Sequence, residues 1–203
     1  LTPFNFELRD SAVNSETGVL YVAANNQLLL LNANNDPIII DVYDFENENG
    51  VVDMVMDNNG GLLHVLLGDG SFRAMSLTDS EFQTPLADGD VNRFTMTAAG
   101  DVFAAGPSGL VMWDGAAWTV VSATVGSSGA ALSMAEVNGI VYAAVDGVGV
   151  LRYDTGASTP LSTWSSANTL HSNSITHMTT SGNQLLLGSS DSGLARFDFV
   201  AGF

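Results

Sequence analysis

Five glycines, each leading a short apolar stretch, recur at positions 18, 61, 100, 139 and 182, with spacings of 43, 39, 39 and 43 residues. A period of roughly 20–50 residues marks an array of small structural units, none of which buries its apolar surface alone. Three copies are clear: Gly100–Asp114 (GDVFAAGPSGLVMWD), Gly139–Asp154 (GIVYAAVDGVGVLRYD) and Gly182–Asp198 (GNQLLLGSSDSGLARFD). Two weaker ones precede them, Gly18–Asn32 and Gly61–Ser76. Each joins two runs of apolar and β-branched residues through a turn of Gly, Asp, Asn and Ser, which predicts a β-hairpin.

Further strand-like runs flank the hairpins. Val51–Met56, Arg93–Met96, Leu132–Ala135 and Ile175–Met178 lie upstream of a glycine; Ile38–Tyr43, Phe82–Leu86, Trp118–Val121 and Leu161–Trp164 follow a hairpin. Four strands per copy and hardly any helical periodicity predict an all-β, five-bladed β-propeller in a single domain, 1–203. Its blades span approximately 10–45, 50–88, 91–124, 131–165 and 174–203. Thr2-Pro3 and Thr84-Pro85 each precede a repeat glycine by 16 residues, which places the N-terminus in register with an outer strand. The sequence therefore predicts closure, with residues 2–8 completing the blade that ends at Phe203. Proline suits an edge strand, and pairing the termini removes an exposed edge. The rival expectation is a segment of a larger propeller, and a start at Leu1 without Met or leader fits a processed or internal chain.

Charge narrows the partners. Twenty-two acidic residues face five basic ones, all arginine, for a net charge of -17. Phosphate backbones and anionic lipids are bound through clustered Lys and Arg, so nucleic acid and bare membrane are excluded as expected partners. No apolar run approaches the roughly 18 residues a spanning helix needs. The absence of cysteine removes disulfides, thiolate catalysis and Cys-based zinc sites.

The third-strand segments GLVMWD (109–114), GVLRYD (149–154) and GLARFD (193–198), each preceded by a Gly-led apolar strand, resemble the blades of ligand-binding sensor propellers of the two-component-regulator type. The resemblance implies an extracytoplasmic recognition role and carries over no catalytic residue.

In a propeller the turns between second and third strands share one face with the connections between blades. Asp69, Asp88, Asp90, Asp146 and Asp191 are thereby expected around one mouth, an acidic rim of the oxygen type that calcium takes. Asp69-Gly70 and Asp146-Gly147 are also ordinary hairpin residues that tolerate positive φ. Asp57-Asn58-Asn59-Gly60 lacks the downstream Glu of a calcium loop and reads as a tight turn. From Thr159 to Gly182 is 23 residues, an insertion holding His171 and His177 beside Trp164; insertions on a regular scaffold are where partners are met. The histidine pair with Asp191 has the makings of a transition-metal set, against incidental loop histidines. His64, in mid-strand, is expected to be a packed or an edge side chain. Trp113, Trp118 and Trp164 suit blade packing or sugar stacking. Arg73, Arg152 and Arg196 fall at comparable third-strand positions, too scattered for the arginine cluster of a sialidase.

No nucleophile elbow, phosphate-binding glycine loop or paired-carboxylate motif is discernible, so no enzyme and no cofactor are expected, calcium aside. The leading expectation is a non-enzymatic extracellular or cell-surface module that recognises other protein subunits or surface glycans, or assembles into oligomers or filaments. The alternative is a small-ligand or carbohydrate-binding sensor domain.

Overall fold

The structure, a computed structural model, describes residues 7–32, 38–45, 50–57, 61–78, 82, 91–106, 109–113, 118–123 and 130–199. These residues hold eighteen strands, all antiparallel, in five sheets and contain no helix. The chain divides into two compact units, Leu1–Gly89 and Asp90–Phe203.

In the first unit, β1 (Leu8–Val13), β2 (Val19–Ala24), β3 (Gln27–Asn32) and β4 (Ile38–Asp44) form one meander, and β5 (Val51–Asp57), β6 (Leu62–Leu67) and β7 (Phe72–Ser76) form a second. Tyr21, Ala23, Leu28 and Leu30 of the first sheet pack on Leu63, Val65, Leu67 and Met75 of the second. His64 stacks on Phe72 at 5.5 Å, the packed one of its two expected states; burial lowers its pKa, opposed by the charge of Asp57.

The second unit holds three sheets: β8 (Arg93–Met96), β9 (Val102–Gly106), β10 (Gly109–Trp113) and β11 (Trp118–Ala123); β12 (Ala131–Val137), β13 (Ile140–Val145), β14 (Gly149–Asp154) and β15 (Thr159–Trp164); and β16 (Ile175–Ser181), β17 (Gln184–Ser189) and β18 (Gly193–Asp198). The β12–β15 sheet is the middle layer. Val141, Ala143, Val145, Leu151 and Tyr153 pack on Phe103, Ala105 and Leu110, while Tyr142, Ala144 and Val150 pack on Ile175, Met178, Leu185 and Leu187. Both faces are covered, which is why β13 reads IVYAAV with no polar alternation.

The copies share fine detail. The first strand of the first, second, fourth and fifth sheets carries a one-residue irregularity near its start, between Leu8 and Asp10, Val51 and Asp53, Ala131 and Ser133, and Ile175 and His177. A bulge there turns the next side chain out of the ladder. That side chain then ties neighbouring sheets together: Asp10 accepts from the Met54 N–H (2.7 Å), and Ser133 Oγ accepts from the Met178 N–H (2.9 Å). In the third sheet Arg93 Nε donates to the Leu132 carbonyl (3.1 Å). His177 occupies the same position in the fifth.

The N-terminus departs from expectation in one respect. Leu8 opens β1, the first strand of the first sheet, and Glu7 exchanges hydrogen bonds with Asn25 at the β2–β3 turn. The end of the segment proposed as a closing outer strand therefore belongs to the first sheet; residues 2–6 and 200–203 lie outside the described residues.

Candidate functional site

Within the second unit β12 lies between β8 and β16. Among the described residues each of the three pairs on one side only, with β9, β13 and β17, and its other backbone edge joins no ladder. Their C-terminal ends converge on a groove of 450 Å³ lined by Thr95, Met96, Thr97, Ala98, Met134, Ala135, Glu136, Met178, Thr179 and Thr180. Local turn chemistry fixes its lip. Asn138 (φ 54°) and Gly139 (φ 75°) supply the paired left-handed residues of a two-residue hairpin, and the Gly139 N–H donates to Glu136 Oε1 at 2.7 Å. Thr97 is buried and engaged with its own turn, accepting from the Asp101 N–H at 3.1 Å. Thr95 is half-buried, and Thr179 and Thr180 are exposed. Among the described residues the lining includes no Lys, Arg or His.

The residues singled out by sequence sit elsewhere. Asp146 and Asp191 occupy the β13–β14 and β17–β18 turns, at the end of the sheets where β12 and β16 begin. They lie beside Ala131 and Ile175, three residues of strand or about 10 Å before the first groove residues Met134 and Met178, and neither lines it. Asp191 is turned to its neighbours: the hydroxyls of Ser172, Ser189 (2.6 Å) and Ser192 (3.1 Å) hold its carboxyl below the usual carboxylate range. Asp69, in the first unit, accepts from the Ser71 N–H at 2.8 Å. Asp88 and Asp90 lie outside the described residues. Among the described residues no three His, Asp or Glu side chains gather as a metal ion would need.

The insertion is an ordered loop. Leu170 is buried in the core formed with Ile175 and Leu187, while Asn168 and Asn173 accept from the N–H groups of Ser165 (2.9 Å) and Ser166 (2.6 Å). His171 is exposed on this loop. His177 is exposed on β16, outside the insertion, because that strand starts at Ile175. Trp164 lies on β15, under the Arg152 guanidinium (4.4 Å) and stacked on Phe197 (4.7 Å), so its ring is spent on packing between the fourth and fifth sheets. Trp113 and Trp118 form an edge-to-face cross-strand pair at 5.4 Å.

The groove escaped the sequence reading because its lining comes from three repeats about forty residues apart. A signal was present in Glu136: aligned by ladder register, the same position holds Val13 in β1, Met56 in β5, Met96 in β8 and Thr180 in β16, so Glu136 is the one charged residue at that position among the five copies.

No protein-family model and no curated protein sequence matches the chain. Solved structures do match in fold. The extracellular domain of BT4673 from B. thetaiotaomicron, described in one structure as a one component system and in another as a hybrid two component system, aligns with a TM-score of 0.73 and 17% identity over 95% and 97% of this chain. This chain spans 26% of that domain's length. The computationally designed Ika8 protein aligns equally well, with a TM-score of 0.73 at 10% identity, over 95% of this chain and 58% of its own. The likeness is one of fold, in line with the blade-like strand pattern of the repeats. Among the described residues no helix is long and apolar enough to cross a membrane.

Proposed function

We propose that the five sheets are blades of a β-propeller and that the chain is the ligand-binding part of an extracellular sensor, taking a small polar ligand such as a carbohydrate where β8, β12 and β16 end. The groove carries this reading: Thr95, Thr179, Thr180 and Glu136, its carboxylate fixed by the Gly139 N–H, line a concave space, the composition of a site for a hydroxylated molecule. The fold likeness to extracellular domains of a signalling protein supports sensing over the assembling surface module. The module binds and does not catalyse.

A ligand that binds only the native state raises thermal stability, by about 2.7 kcal/mol at a hundredfold excess over Kd. Thermal unfolding of the chain against a panel of mono- and disaccharides, with calcium and with a chelator, is the test. At least one sugar is expected to raise Tm saturably, and Thr95→Val with Thr179→Val is expected to abolish the rise. No saturable shift with any sugar, or a shift untouched by the double variant, defeats the proposal.

A further inference from the structure

We infer that the ligand of this groove carries a protonated amine on a small hydroxylated skeleton, and that Glu136 selects for it. The inference rests on the groove being the ligand site. Among the described residues Glu136 is the one ionisable side chain in the lining, and no cationic side chain there neutralises it. Its Oε1 is committed to the Gly139 N–H at 2.7 Å, so the carboxylate is held in place, and its second oxygen takes no hydrogen bond from the described residues. A fixed anion between low-dielectric walls focuses field into a cleft and concentrates cations there. The chain's net charge of -17 acts in the same direction.

The rest of the lining agrees. Hydrogen bonds within the described residues do not engage the Thr95, Thr179 and Thr180 hydroxyls, which both accept and donate. The Met96 and Met134 thioethers are soft, polarisable acceptors. An ammonium makes charge-assisted bonds to a carboxylate and hydroxyls, roughly twice as strong as those of a neutral hydroxyl in the same place. A neutral sugar uses the threonines and leaves the carboxylate uncompensated; an anionic sugar is repelled.

Glucosamine, N-acetylglucosamine and glucose share one skeleton and differ in the substituent at C2, which is charged only in glucosamine, so titration calorimetry of the full chain with the three is the test. Glucosamine is expected to bind at least tenfold tighter than the other two, about 1.4 kcal/mol. Glu136→Gln keeps an acceptor for the Gly139 N–H and removes the charge; it should erase that preference with Tm unchanged. Equal binding of all three overturns the amine inference while leaving the sensor reading standing. So does a preference for glucosamine that survives Glu136→Gln. Absence of glucosamine binding overturns it too, and the wider sugar panel then decides the sensor reading separately.

Discussion

The fourth and fifth sheets are neighbours built on the same repeat, yet equivalent residues in them do different work. Arg152 and Arg196 both sit on the third strand, opposite Tyr142 and Leu186. Arg152 is half-buried over the Trp164 ring, whereas the Arg196 side chain is 61% exposed and pairs with Asp198 at 3.2 Å. Gly149 and Gly193 open those same strands. A Cβ on Gly149 (φ 112°) would collide with the Trp164 carbonyl, whereas one on Gly193 (φ 76°) would meet nothing within 4 Å. The difference comes from the fourth strand: β15 covers β14, and among the described residues no strand covers β18. A repeat residue acquires its energetic weight from what packs beside it.

The largest effect that would break this comparison is at the glycines. Gly149→Ala should cost roughly 3 kcal/mol or more, combining left-handed strain with a backbone clash, and Gly193→Ala about 1 kcal/mol from the backbone conformation alone. Equal shifts in the urea midpoint of the two variants would show that β15 does not constrain the turn. Next comes the cross-sheet tie. Ser133→Ala leaves the buried Met178 N–H without its acceptor and should cost about 2 kcal/mol, while His177→Ala, at the same exposed position of the fifth sheet, should stay within about 0.5 kcal/mol. Arg152→Ala should lose about 1 kcal/mol with its stack on Trp164, against a change near zero for Arg196→Ala, read by thermal unfolding.

The smallest effect is pH-dependent. The folded state holds the Asp191 pKa below its ordinary value, first through Ser172 and then through Ser189. The unfolded chain therefore binds the proton more readily, so the contribution is present above the ordinary aspartate value and is lost as pH falls through the folded one. Asp191→Asn should lower Tm slightly at pH 7 and leave it unchanged near pH 2. A difference that grows in acid would reverse the sign.

Much of the fold was legible because strands and turns are local. Alternation, β-branched runs and glycines at positive φ gave the hairpins, and the ladder Val141↔Tyr153 to Val145↔Gly149 follows the predicted copy. The candidate site was not legible, since Thr95, Glu136 and Thr179 meet only when three repeats are laid side by side. The insertion illustrates the same limit: its histidines looked like the chemistry, but Leu170 and two asparagines do the organising, and His177 belongs to the next strand.

The arginines separate what each level decides. By itself the sequence determined that Arg73, Arg152 and Arg196 lie on third strands, because the repeat period fixes the element. Only the tertiary structure decided which way they face. Arg73 is opposite Val65, on the face packed against the first sheet, with Phe45 5.8 Å away; Arg152 is opposite Tyr142, on the face packed against the fifth. A one-residue step in register turns a side chain to the other side of a sheet, and packing across sheets, through contacts distant in sequence, sets that step.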